Sequence, residues 1–97
     1  MATYILLATY TEQGIKGIKD TVKRTEAVKE LGKKAGATMK ESYWTLGAYD
    51  VVAVFEAPDD ETMTAFSLSV AKLGNVKTQT LRAFSGKEMA GIVGKMV

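Results

Sequence analysis

The chain has 97 residues, 46% of them hydrophobic and 25% charged, which fits one compact domain with a modest core and argues against wholesale disorder. Thirteen Lys and Arg against eleven Asp and Glu leave a net charge of +2, too small to act as a long-range field for nucleic acid. Cysteine and histidine are both absent, which excludes disulfides and thiolate chemistry and removes the commonest general base and metal ligand.

Residues 3–10 carry Tyr, Ile, Leu, Leu and Thr with no breaker and read as a first strand. Its apolar residues fall on both faces, as in a strand at the middle of a sheet. Thr11 offers an N-cap, and helical spacing runs on to about Ala35, where Gly36 closes it. The spacing slips once: Ile15, Ile18 and Val22 form one set, Val28, Leu31 and Ala35 another, out of phase by about one residue. A short helical turn, a break near Asp20-Thr21 and then the main helix are expected. Residues 12–36 hold seven basic and four acidic side chains, which reads as a solvated helix face.

Residues 37–46 form the second predicted strand, with Tyr43, Trp44 and Thr45 as strong β formers. Gly47-Ala48 marks a tight turn, and residues 50–57 form a third strand, the most apolar of all, ended by Pro58. Asp59 is a good N-cap, with Asp60 and Glu61 suited to the positive end of a helix dipole. Met63, Phe66, Val70 and Leu73 then make an apolar helical stripe that stops at Gly74. Residues 75–84 alternate, with Val76, Thr78, Thr80, Arg82 and Phe84 facing one way. Ser85 and Glu88 complete a capping box, and Met89, Ile92, Val93 and Met96 follow in a short tail helix.

The order is β-α-β-β-α-β plus a tail helix, an α+β, ferredoxin-like arrangement with a four-stranded antiparallel sheet spanning residues 1–97 as one domain. Two helices cover only one face of such a sheet. Because strands one and three are apolar on both sides, a second subunit packed sheet against sheet is expected on the other. The N-terminus lacks a basic region ahead of its short apolar run, and no segment approaches the roughly 18 apolar residues of a membrane span. These features predict a cytoplasmic chain with neither membrane nor nucleic acid as a partner.

Four ordered blocks carry a resemblance: Gly14-Ile15-Lys16 with Ile18-Lys19-Asp20; residues 43–52; Glu56-Ala57-Pro58-Asp59-Asp60; and Leu73-Gly74-Asn75-Val76 with residues 80–84. Together they cover nearly the whole chain and are similar to the GYD domain family. The naming triplet Gly-Tyr-Asp is here Gly47-Ala48-Tyr49-Asp50, with one residue inserted or the glycine displaced. The resemblance implies a ferredoxin-like fold assembled as a dimeric α/β barrel and brings no activity with it. A weaker similarity, over residues 47–81, is to the ligand-sensing domain of leucine-responsive and asparagine-operon type regulators, where this region lies near small-molecule sites at subunit contacts. The helix-turn-helix of those regulators is missing here.

Three groups are candidates for function. Gly47, Tyr49 and Asp50 form a turn that either lines a pocket mouth, with Asp50 accepting from a ligand amine and Tyr49 as a wall, or simply shapes the hairpin. Arg82, on the same strand face as Thr80, needs a carboxylate or a bound anion if buried, for which Glu41, Glu56 or Asp50 are at hand; on an edge strand it reaches water instead. Tyr4, Tyr10, Tyr43 and Trp44 suit pocket walls, interfaces or core, with Tyr43 and Trp44 on opposite strand faces. The tentative ligand-binding or interface set is Tyr43, Gly47, Tyr49, Asp50, Thr80 and Arg82. No phosphate loop, dinucleotide fingerprint or carboxylate cluster suggests a cofactor or metal. The expected function is a homo-oligomeric module binding a small organic ligand. The alternatives are a cofactor-poor enzyme of the monooxygenase or isomerase type, relying on Tyr43, Asp50 and Arg82, and a purely structural assembly unit.

Overall fold

The computed structural model describes all 97 residues. In chain order the elements are β1 (Ala2–Tyr10), α1 (Glu12–Lys16), a 3-10 turn (Ile18–Asp20), α2 (Thr21–Ala35), β2 (Thr38–Trp44), β3 (Val51–Ala57), α3 (Asp60–Ala71), β4 (Val76–Ala83) and α4 (Gly86–Val93). The four strands pair antiparallel in the order β2-β3-β1-β4, the ferredoxin-like topology, with the most apolar strands at the centre. No helix is long and apolar enough to cross a membrane.

The helix boundaries follow their expected caps. Thr11 accepts the Gly14 N–H, Asp59 accepts the Thr62 N–H, and Ser85 and Glu88 form a reciprocal capping box. The break between α1 and α2 falls at Gly17 and the 3-10 turn. That turn resets the helical phase, and Ile15, Ile18 and Val22, which form one periodic set in the sequence, are all exposed. The β2–β3 connection is also wider than the tight turn expected at Gly47-Ala48. It spans residues 45–50, with Gly47 at φ +134° and the Thr45 N–H donating to the Asp50 carbonyl at 2.9 Å.

One face of the sheet carries the core. Tyr4, Leu6 and Ala8 from β1 and Ala53, Phe55 and Ala57 from β3 are buried beneath Met63, Phe66 and Val70 of α3. The Phe55 and Phe66 rings meet at 5.0 Å in a tilted pair. Helix α2 sits less tightly: only Gly32 on it is buried, with Val28 and Leu31 packed against the edge of the core. A Cβ on Gly32 would lie 2.3 Å from the Ala37 carbonyl oxygen, so glycine is what lets the end of α2 approach the chain leading into β2.

The opposite face has no helix over it. By strand register it presents Ile5 and Leu7 of β1, Val52 and Val54 of β3 and Leu81 of β4, ringed by Glu41, Tyr43, Lys77 and Gln79. Helix α4 has no buried residue, and Phe84, Met89, Ile92 and Val93 are exposed on and beside it. The chain consequently exposes 6501 Å², against roughly 5,400 Å² for a compact monomer of this size.

Candidate functional site

A concavity of about 150 Å³ lies between α2 and the helix-covered face of the sheet. Its floor is Leu6, Ala8 and Ala53, and Val28, Val70 and Val76 close its sides. Helix α2, which roofs it, is fixed by specific contacts at both ends. Gly32 seats the C-terminal end, while Thr21 ties the first turn to two strand ends at once. The Thr21 hydroxyl accepts from the Trp44 indole N–H (3.0 Å) and shares a 2.8 Å hydrogen bond with the Tyr10 hydroxyl.

Tyr10 is the hub of this end of the cavity. Its backbone N–H donates to Asp50 Oδ2 at 2.9 Å, and the Asp50 N–H donates to the Ala8 carbonyl at 2.9 Å. Its ring lies 5.9 Å below the Arg24 guanidinium. Beside it, α1 locks onto the loop before β4: Thr11 N–H donates to the Asn75 carbonyl, Thr11 Oγ1 to the Gly74 carbonyl (2.6 Å), and Gln13 Nε2 to the Leu73 carbonyl and Asn75 Oδ1. A Cβ on Gly14 would sit 2.0 Å from the Asn75 oxygen, so this contact requires glycine. Three blocks distant in sequence, around Gly14, Asp50 and Gly74-Asn75, thus converge on one place.

Arg24 is half-buried at the cavity wall and donates to the Gly14 carbonyl at 3.0 Å. No carboxylate lies within ion-pair distance of it; the four ion pairs are Glu12–Lys16, Glu30–Lys33, Lys40–Glu56 and Arg82–Glu88.

The residues singled out from sequence are dispersed. Of the tentative set, Asp50 alone reaches the cavity region, by capping the end of β1; from the aromatic group, Tyr10 lines the cavity and Trp44 is bonded to Thr21 beside it. Gly47 sits at the loop tip with open space around it. The Tyr49 hydroxyl donates to Gln79 Oε1 at 3.1 Å, across the end of the open sheet face. Tyr43 lies on that same open face at the β2 edge, its hydroxyl donating to Glu41 at 2.6 Å; the carboxylate beside it pushes the phenol pKa up. Thr80 and Arg82 are on the other face at the other edge, where the Thr80 hydroxyl pairs with Ser67 at 3.1 Å. Arg82 takes Glu88 as its partner at 3.6 Å, not Glu41, Glu56 or Asp50 as sequence suggested, because the capping box of α4 brings Glu88 over the strand end. Its guanidinium also stacks on Phe84 and Tyr4, at 4.5 and 5.6 Å. Tyr43, Asp50 and Arg82 therefore do not share a site within one chain. Near Arg82, the buried Tyr4 hydroxyl donates to Asp60 at 2.5 Å, and burial together with that bond raises its pKa to about 12.

A family model described as the GYD domain matches residues 4–93. The chain belongs to the GYD domain family. It is 38% identical over 84 residues to the "Glutamine synthetase and cystathionine beta-lyase binding protein" of Thermus thermophilus, covering 86% of this chain and 88% of that protein. A solved structure of a protein from Thermus thermophilus superposes with TM-score 0.59 at 25% identity, over 89% of this chain and 96% of the other. A hypothetical protein from Pyrococcus horikoshii gives TM-score 0.58 at 22% identity, over 88% and 92%, a likeness of fold alone. The blocks gathered around Tyr10 are among those that carry the family resemblance in sequence.

Proposed function

We propose that this GYD domain is a self-associating binding module that takes up a small organic ligand and acts on other proteins by contact. The observation that carries this reading is the amount of apolar surface left without cover. The total accessible surface of 6501 Å² exceeds that of a compact monomer of this size by about 1,100 Å², of the same order as the roughly 800 Å² that each partner contributes to a standard interface. On the open sheet face the uncovered residues are the alternate members of the same two strands that build the core. A second copy placed sheet against sheet would match apolar centre to apolar centre and leave the polar ring at the rim.

The cavity beneath α2 supplies the place for a ligand. The relative named as a glutamine synthetase and cystathionine beta-lyase binding protein supports proteins, and enzymes in particular, as the partners of this chain. The test is binding of the purified chain to glutamine synthetase and cystathionine beta-lyase from its own source, by biolayer interferometry. Saturable binding to either enzyme is expected, and no response from both at tens of micromolar would refute the protein-partner part of the reading.

A further inference from the structure

We propose that the cavity between α2 and the sheet is a site for a small apolar carboxylate, its hydrocarbon body among the valines and its carboxylate on Arg24. The proposal rests on reading the chain as a ligand-binding module and adds the chemical class of the ligand. Size and lining set the body. A cavity of about 150 Å³ floored by Leu6, Ala8 and Ala53 is too apolar to hold ordered water well. Its volume is that of engineered apolar cavities in other proteins that admit benzene. A single ring or a branched chain of five or six carbons fills it.

Arg24 sets the head group. A half-buried arginine ordinarily takes a carboxylate, because the guanidinium stays charged and its planar fork matches two carboxylate oxygens. Here the fork is held by the Gly14 carbonyl on one side and the Tyr10 ring beneath, with no acid within ion-pair distance. The one carboxylate that touches the same hub, on Asp50, is occupied by the Tyr10 N–H. Arg24 is thus a fixed, unpaired cation at the wall of an apolar cavity. Thr21 and Tyr10 add hydroxyls at the same end.

The chain carries its own reporter. Trp44 is the single tryptophan, and its indole N–H is bonded to Thr21, whose side chain lines the cavity. Four probes decide the matter: benzoate, toluene, benzylamine and acetate, each titrated into the full chain and followed by Trp44 fluorescence and melting temperature. Saturable changes are expected with benzoate, weaker ones with toluene, and none with benzylamine or acetate at the same concentration. Arg24→Gln should weaken benzoate about tenfold or more and leave toluene within about twofold. Val28→Phe, which fills the cavity, should abolish both responses while keeping the circular dichroism of the parent. Equal affinity for benzoate and toluene, unchanged by Arg24→Gln, would overturn the carboxylate assignment and leave the cavity as a ligand site. Silence from all four probes would overturn the assignment and the ligand part of the proposed function together.

Discussion

The two faces of the sheet are made by the same strands from similar residues, yet only one of them is finished. On the helix-covered face, Tyr4 and Leu6 alternate with Phe55 and Ala57 under α3, and none of the four exceeds 6% exposure. On the other, Ile5 and Leu7 alternate with Val52 and Val54 and are only partly buried, and Leu81 beside them is 40% exposed. Strand propensity and alternation cannot distinguish the two, since both are apolar at period two. The difference lies in what is packed on top: the first face gains its cover from the chain itself, whereas the second has none within the chain. On the proposed function, the first belongs to folding stability and the second to assembly.

The largest effect that would break this contrast comes from the finished face. Phe55→Ala, fully buried against Phe66, is expected to cost about 3–5 kcal/mol in chemical denaturation, enough to threaten folding of a domain this small. A loss below about 1 kcal/mol would mean that this face is not the core. Gly14→Ala is next, since its Cβ would drive into the Asn75 carbonyl. A destabilisation of about 1–3 kcal/mol, with weakened protection of the α1–β4 junction in hydrogen exchange, is expected. The finished face also has an alkaline signature. Tyr4 stays neutral in the folded chain up to about pH 12, while an unfolded tyrosine ionises near 10. Its contribution is therefore fully present below the unfolded value and is lost as pH rises through the folded one. Tyr4→Phe should flatten the fall of melting temperature in that window; an unchanged slope would place the alkaline transition elsewhere. The smallest effect is on the open face, where Lys40 and Glu56 form an exposed pair at 3.4 Å. Glu56→Gln should change monomer stability by no more than about 1 kcal/mol, and a larger loss at low protein concentration would show the pair to be structurally essential to the single chain.

The fold was legible in the sequence because its signals are local. The Ser85–Glu88 capping box, the Asp59 cap, Gly36 and the alternation along β4 each depend on residues a few positions apart, and each stands where it was expected. The open sheet face could also be read, from apolar residues on both sides of β1 and β3. The cavity could not. It depends on how far α2 stands from the sheet between Thr21 and Gly32, which no periodicity encodes. Tyr10 was one of four aromatics with nothing to set it apart, because its partners come from two other places in the chain, Thr21 and Arg24 at the start of α2 and Asp50 before β3. Arg82 stands exposed on the edge strand β4, the alternative in which it reaches water, and its partner Glu88 comes from the tail helix, whose capping box was visible while its direction was not. Asp50 and Gly74-Asn75 stood within the family blocks; only the fold shows that both are bonded to the end of β1, at Tyr10 and Thr11.

Native mass spectrometry of the wild-type chain beside Leu81→Glu tests the unfinished face most directly. A wild-type dimer or higher multiple is expected, with a Leu81→Glu chain that is monomeric yet keeps the parent circular dichroism and a cooperative melt. A wild-type chain that remains monomeric at tens of micromolar would contradict it.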